Sequence, residues 1–229
     1  MPTVLARLLG AALAAGIAAG LIASLGQSIK LTPLILAAER FETETHDDLA
    51  SDEQAASDHN HTEAWRPADG GERIAYTVLS NILVGTGFAL LLCACLTLYP
   101  GRLDGGRGVI WGLAGFAAFS LAPALGLPPE LPGSAAAELG ARQAWWLSTA
   151  GATAIGLALL FLQRRTIRRI LGAVAIAAPH LVGAPHPPTL AGALPAEFAA
   201  QFAVGSLVIS VMFWVALGGV AGFALRRPR

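Results

Sequence analysis

Residues 164–187 read RRTIRRILGAVAIAAPHLVGAPHP. Four arginines are followed by an apolar run of ordinary helix-forming residues, which a proline at 179 and a second at 185 interrupt. Whether this run crosses a membrane decides how many times the whole chain does. A helix needs roughly 20 apolar residues to cross about 30 Å of hydrocarbon, and 170–185 falls a little short of that. Five other segments meet the length without difficulty: 4–26, 78–98, 108–127, 144–163 and 202–225. Loop charge settles the parity. Lys and Arg collect on the cytoplasmic side, and the chain ends in RRPR at 226–229. With five spans, RRTIRR and RRPR lie on opposite faces; with six they share one. Six spans with the N-terminus inside place 10 of the 15 basic residues in the cytoplasm and leave Asp104 as the one acid there. The expected fold is therefore an all-α, polytopic transmembrane bundle of six spans in a single domain, with N- and C-termini cytoplasmic. A re-entrant 170–185 with five full spans is the alternative.

Composition supports a membrane chain. The 229 residues are 55% hydrophobic and 13% charged, with a mean hydropathy of +0.60; soluble domains carry roughly 25% charged residues. Nothing basic enough to bind nucleic acid is present. The first apolar stretch resembles a signal peptide in its Arg7 and small residues, but at some 20 residues it is longer than a signal core, so an uncleaved first span is expected. Gly16/Gly20 and Gly218/Gly222 have the GxxxG spacing that lets helices approach closely. Cys93 and Cys95 read as small packing residues, and Trp65, Trp145 and Trp146 as interfacial anchors.

One hydrophilic insert, 28–76, separates the first two spans. It holds 11 acidic and 4 basic residues and three of the five histidines. Its middle, ETETHDDLASDEQAASDHNHTEAW, has too few apolar residues to offset the cost of ordering it, which predicts a flexible outer loop. Within it His59, His61 and Glu63 alternate, so in an extended chain all three face one side. His46, Asp47 and Asp48 stand nearby. Imidazole with carboxylate suits Co, Ni, Cu and Zn, and the loop has no Cys or Met to favour Cu(I). Asn60-His61-Thr62 matches a glycosylation sequon, which the Ala/Gly/Arg-rich composition argues against using.

Charge inside a membrane span marks a pathway or relay. Apart from Arg7 near a span end, the one ionisable group in the six spans is His180. His180 and His186 flank Leu-Val-Gly-Ala-Pro on the outer side, where Pro179 and Pro185 free backbone carbonyls, and they could form a site with Glu130 or Glu197. The alternative is a helix cap with solvent-facing histidines. Thr149 and Thr153 are four apart on one helix face, as are Ser206 and Ser210; interhelical hydrogen bonds are the expectation, a permeation path the alternative. The sole lysine, Lys30, follows no Gly-rich turn, so no P-loop holds ATP. No G-x-S-x-G, H-E-x-x-H or intramembrane carboxylate pair is present, which argues against an enzyme.

Several strings in order, WRPADGGERIAYT (65–77), GLAGFAAFSLAPALGLPPELPG (112–133), RQAWWLSTAGATAIGL (142–157), PHLVGAPHP (179–187) and FWVALGGVAGF (213–223), resemble the CbtA family of predicted cobalt transporter subunits. The resemblance covers nearly the whole chain. It implies cobalt uptake across a bacterial inner membrane, linked to cobalamin biosynthesis, and a small one-span, His-bearing companion subunit (CbtB-like), with homo-oligomerisation left open. It makes His59, His61, His180 and Glu130 ligand candidates for a transported Co2+ (or Ni2+) and implies no resident cofactor. A non-transporting membrane scaffold and a nickel permease are the competing functions.

Overall fold

The computed structural model describes residues 4–40, 67–68, 70–187 and 195–226. Six helices make up these residues, with no strand among them: α1 (Val4–Arg40), α2 (Gly71–Leu98), α3 (Gly105–Ala124), α4 (Leu139–Leu162), α5 (Thr166–Val182) and α6 (Ala196–Ala224). All but α5 are long and apolar enough to cross a membrane. The 17 residues of α5 rise about 26 Å at 1.5 Å each, a little under the thickness of the hydrocarbon.

The first helix runs further than its apolar stretch. It was expected to end at residue 26, with a hydrophilic insert from 28, yet it continues to Arg40. The polar residues at the break are satisfied within the bundle. Ser24 and Ser28 each donate to the carbonyl four residues back. Asn81 of α2 donates to Ser24 Oγ at 2.9 Å and to Gln27 Oε1 at 2.7 Å. The backbone also widens into a π turn over Gln27–Leu31, where the Thr32 N–H reaches the Gln27 carbonyl. Pro33 explains this turn: its ring crowds the carbonyl four residues back, that of Ile29. The same device recurs in α3, where the π turn Ala117–Leu121 precedes Pro123 by two residues and the crowded carbonyl is that of Phe119.

Four helices form the core. Glycines let them touch backbone to backbone, the packing expected where lipid supplies no hydrophobic drive. A Cβ on Gly20 would stand 2.8 Å from Ile82 Cα, and one on Gly85 2.8 Å from the Gly16 carbonyl, which seals α1 to α2. Gly218 and Gly222 of α6 meet Gly108 and Gly112 of α3 in the same way. Both GxxxG pairs thus serve as expected; the facing Gly108/Gly112 pair completes the second seam. Between the two pairs lie Leu92, Cys93, Leu96, Trp214, Leu217 and the alanines of α1. Cys93 packs in the core as expected, whereas Cys95 is exposed, and both are free thiols. The α4–α5 hairpin leans on this core, joined to itself at Gly156 and Gly172.

The two ends of the bundle differ in charge. Arg7 donates to the Arg226 carbonyl at 2.8 Å, so the start of α1 and the end of α6 meet. Tyr99, Asp104 and Arg107 cap neighbouring helices at this same end, and the α4–α5 turn adds Arg164, Arg165, Arg168 and Arg169. The opposite end gathers Glu39, Glu72, Arg73, Glu130, Glu138, Arg142, His180, His186 and Glu197. Short though it is, α5 runs from one end to the other: His180 in its last turn meets Trp145, and Ala184 just beyond stands against Gly126.

Candidate functional site

A cleft of about 670 Å³ opens at the acidic end between α3, the start of α4 and α6. Sequence chemistry shapes each wall. The π turn before Pro123 turns Phe119 and Ser120 toward the space, and the segment after α3, stiffened by Pro128 and Pro129, brings Glu130 back across it. Glu138 starts α4 by accepting from the Gly140 and Ala141 N–H groups at 2.7 Å each, and these bonds hold its carboxyl below the ordinary glutamate value of 4.5. One turn on, Arg142 and Gln143 face the cleft, and Ser210 lines it from α6.

Glu130 and Arg142 form an ion pair at 2.8 Å, both about 30% exposed, so the mouth carries a matched pair of charges rather than a net one. Phe119 and Trp146 give the cleft an aromatic wall. Behind it Phe119 stacks on Trp214 with centroids 5.8 Å apart and planes 14° apart, and Phe88 and Phe213 pack around that tryptophan. The Trp214 indole N–H donates to Ser120 Oγ at 3.2 Å, fixing this aromatic cluster to the π turn.

His180 is partly buried, with its ring edge-on to Trp145 at 6.0 Å. His186 and Glu197 are exposed. Among the described residues no three His, Cys, Asp or Glu side chains come together around one ion position. The structure therefore does not assemble His180 and His186 with Glu130 or Glu197: Glu130 is held by Arg142, and His180 by Trp145. His46, Asp47, Asp48, His59, His61 and Glu63 lie outside the described residues. The described residues on either side of that stretch are joined by the Glu39–Arg73 ion pair at 2.8 Å. Trp145, expected as an interfacial anchor, is buried among α4, α5 and Gly126. Thr149 and Thr153, expected to hydrogen-bond between helices, are buried with no hydroxyl partner among the described residues.

Sequence reasoning passed over Arg142, Gln143 and the aromatic wall. Arg142 could have been found as the one basic residue of α4, near its start and twelve positions from Glu130 across a proline-rich turn.

No curated protein and no solved structure matches the chain. A family model described as "Probable cobalt transporter subunit (CbtA)" matches residues 5–226. With that match across nearly its full length, and with five helices among the described residues long and apolar enough to cross a membrane, the chain belongs to the CbtA family of probable cobalt transporter subunits.

Proposed function

We propose that this chain is the membrane-embedded subunit of a divalent metal uptake system, taking Co2+ (or Ni2+) from the acidic end of the bundle toward the arginine end. The observation that carries this reading is convergence. Both flanks of the His-bearing stretch, the two described histidines and the cleft lined by Glu130, Arg142 and Gln143 share one end. The arginine end faces the cytoplasm of a bacterial inner membrane by the positive-inside rule, with both termini there. His46, His59, His61 and Glu63 then meet incoming cations first and capture them. His180, His186 and Glu130 stand next along the way, Glu130 once Arg142 has moved aside. A one-span, His-bearing companion completes the system.

Cobalt accumulation by cells expressing the chain with its companion tests the capture step. Replacing His59→Ala together with His61→Ala is expected to lower accumulation most at low external cobalt; unchanged uptake rejects capture by these residues. A scaffold that assembles a partner without moving metal is the second reading, favoured by the lack of any carboxylate in the apolar stretches 4–26, 78–98, 108–127, 144–163, 170–185 and 202–225. Titration of the purified chain with Co2+ separates the two, since the weak d–d absorption of the hydrated ion shifts or intensifies only if the chain itself binds it.

A further inference from the structure

Three polar groups inside the bundle have nothing to bond to. The hydroxyls of Thr149 and Thr153 and the indole N–H of Trp145 lack any hydrogen-bond partner among the described residues, and these side chains are 0%, 3% and 8% exposed. Leaving such a group buried and unmet costs about 1–3 kcal/mol. Other helix hydroxyls avoid that cost: Ser24, Ser28, Thr77, Thr86, Thr97 and Ser148 each donate to a carbonyl three or four residues back. Thr149 and Thr153 do not.

The three exceptions lie in register. Positions 145, 149 and 153 fall on one helix face, the face that meets α5 at His180 near one end and at Gly172 near the other. Thr149 and Thr153 straddle the middle of α4 (Leu139–Leu162), the depth at which a polar group is least tolerated and at which transporter sites tend to lie. Within α5, Pro179 has no N–H to offer the Ala175 carbonyl four residues back. The row on α4 presents hydroxyl oxygens and carries no formal charge. Neutral oxygens accept hydrogen bonds from the water shell of a cation. They hold it weakly enough for it to move on, which conduction requires.

We propose that Trp145, Thr149 and Thr153 line a polar file between α4 and α5 along which a hydrated divalent cation crosses the membrane. This rests on the transport reading above and assigns its route. His180 stands at the entrance, and the Trp145 N–H orients a water there. At the arginine end the file is shut by Gly156 and Gly172, where a Cβ on either would come within 2.7 Å of the other's carbonyl oxygen. Passage requires the two helices to part at that point.

The test exchanges hydroxyl for methyl at constant shape. In cells where the wild-type chain raises cobalt accumulation, Thr149→Val with Thr153→Val is expected to lower it about tenfold at equal membrane abundance, the factor carried by roughly one hydrogen bond. Thr149→Ser with Thr153→Ser should restore it. A row with a packing role alone predicts the opposite pattern, full accumulation with a higher melting temperature, and that result overturns the proposal. A second measurement stands apart from transport. In a Cys93→Ala, Cys95→Ala background, Thr149→Cys should react with the permanently charged reagent methanethiosulfonate-ethyltrimethylammonium in native membranes; an unreactive Thr149→Cys variant overturns the file. Wild-type cells that accumulate no extra cobalt would sink the transport reading instead, and the thiol reaction would still decide whether the file admits a hydrated cation.

Discussion

Replacing the buried Gly108 with alanine should destabilise the bundle more than the same change at an exposed or loosely packed glycine. A Cβ at Gly108 would overlap the carbonyl oxygen of Gly218 and stand 2.8 Å from Gly222 Cα. To restore ordinary contact at about 3.4 Å the Gly218 oxygen sets the demand, and the two backbones must separate by more than about 1 Å. No flexible side chain lies between them to give way, so the shift must pass along the whole α3–α6 seam. Overpacking of this kind costs typically 1–3 kcal/mol, and a backbone-to-backbone clash belongs at about 3 kcal/mol. Helix propensity works in the other direction, since alanine is favoured over glycine by about 1 kcal/mol in a helix interior, leaving a net loss near 2 kcal/mol. For a chain of this size that corresponds to roughly 4–8 °C of melting temperature. Gly87→Ala and Gly151→Ala supply the control, because a Cβ at either meets nothing within 4 Å; both should be neutral or slightly stabilising. Thermal unfolding in detergent, followed by loss of the monodisperse chromatographic peak, reads the difference. If Gly108→Ala melts no lower than Gly87→Ala, the α3–α6 seam is not sealed as described.

Asn81→Leu removes both donors that α2 gives to Ser24 and Gln27, and a loss of about 1 kcal/mol is expected from membrane interhelical bonds of this type, read as a lower melting temperature that Asn81→Gln partly recovers. Glu138 is held charged by two backbone N–H groups, which lowers its pKa below 4.5. Its contribution to stability is therefore fully present above that ordinary value and is lost as pH falls through the depressed one. Melting measured from pH 6 to pH 3 should show an acid-induced drop that shrinks in Glu138→Gln. Finally, a cysteine in place of Gln163 should be labelled by a membrane-impermeant maleimide only after inner-membrane vesicles are inverted or opened, and one in place of Glu197 from the periplasmic side; the reverse pattern would invert the orientation.

Much of the fold was legible because its signal is long-range and redundant. Six apolar runs and the placement of arginines at 7, 102–107, 164–169 and 226–229 point to an even number of passes, and the bundle brings the described members of that set to one end. Two features escaped. The continuation of α1 past residue 26 depends on Asn81, fifty-four positions from Gln27, and no local pattern reports a partner that far away. The π turns leave no mark in composition, yet each precedes a proline by two residues, Pro33 and Pro123, so the signal was present and unread. The candidate site was legible in part. Glu130 and His180 were singled out, but as ligands of a shared ion, whereas the structure gives each a different neighbour, Arg142 and Trp145. Pairing of this kind is set by how far a proline-rich turn doubles back, which spacing alone does not determine. Thr149 and Thr153 were noticed as a same-face pair; that their hydroxyls go unmet could only be seen once the helices were packed.

The glycine seams divide the molecule into parts of unequal stiffness. Where backbones touch there are no rotamers to exchange, and α1 with α2, or α3 with α6, can slide only by breaking many contacts at once. The α4–α5 hairpin has no such anchorage on its outer side. Rearrangement is therefore concentrated in that arm, between its own two helices at Gly156 and Gly172 and against the fixed block, where the aromatic patch around Phe119 and Trp146 is the bearing surface.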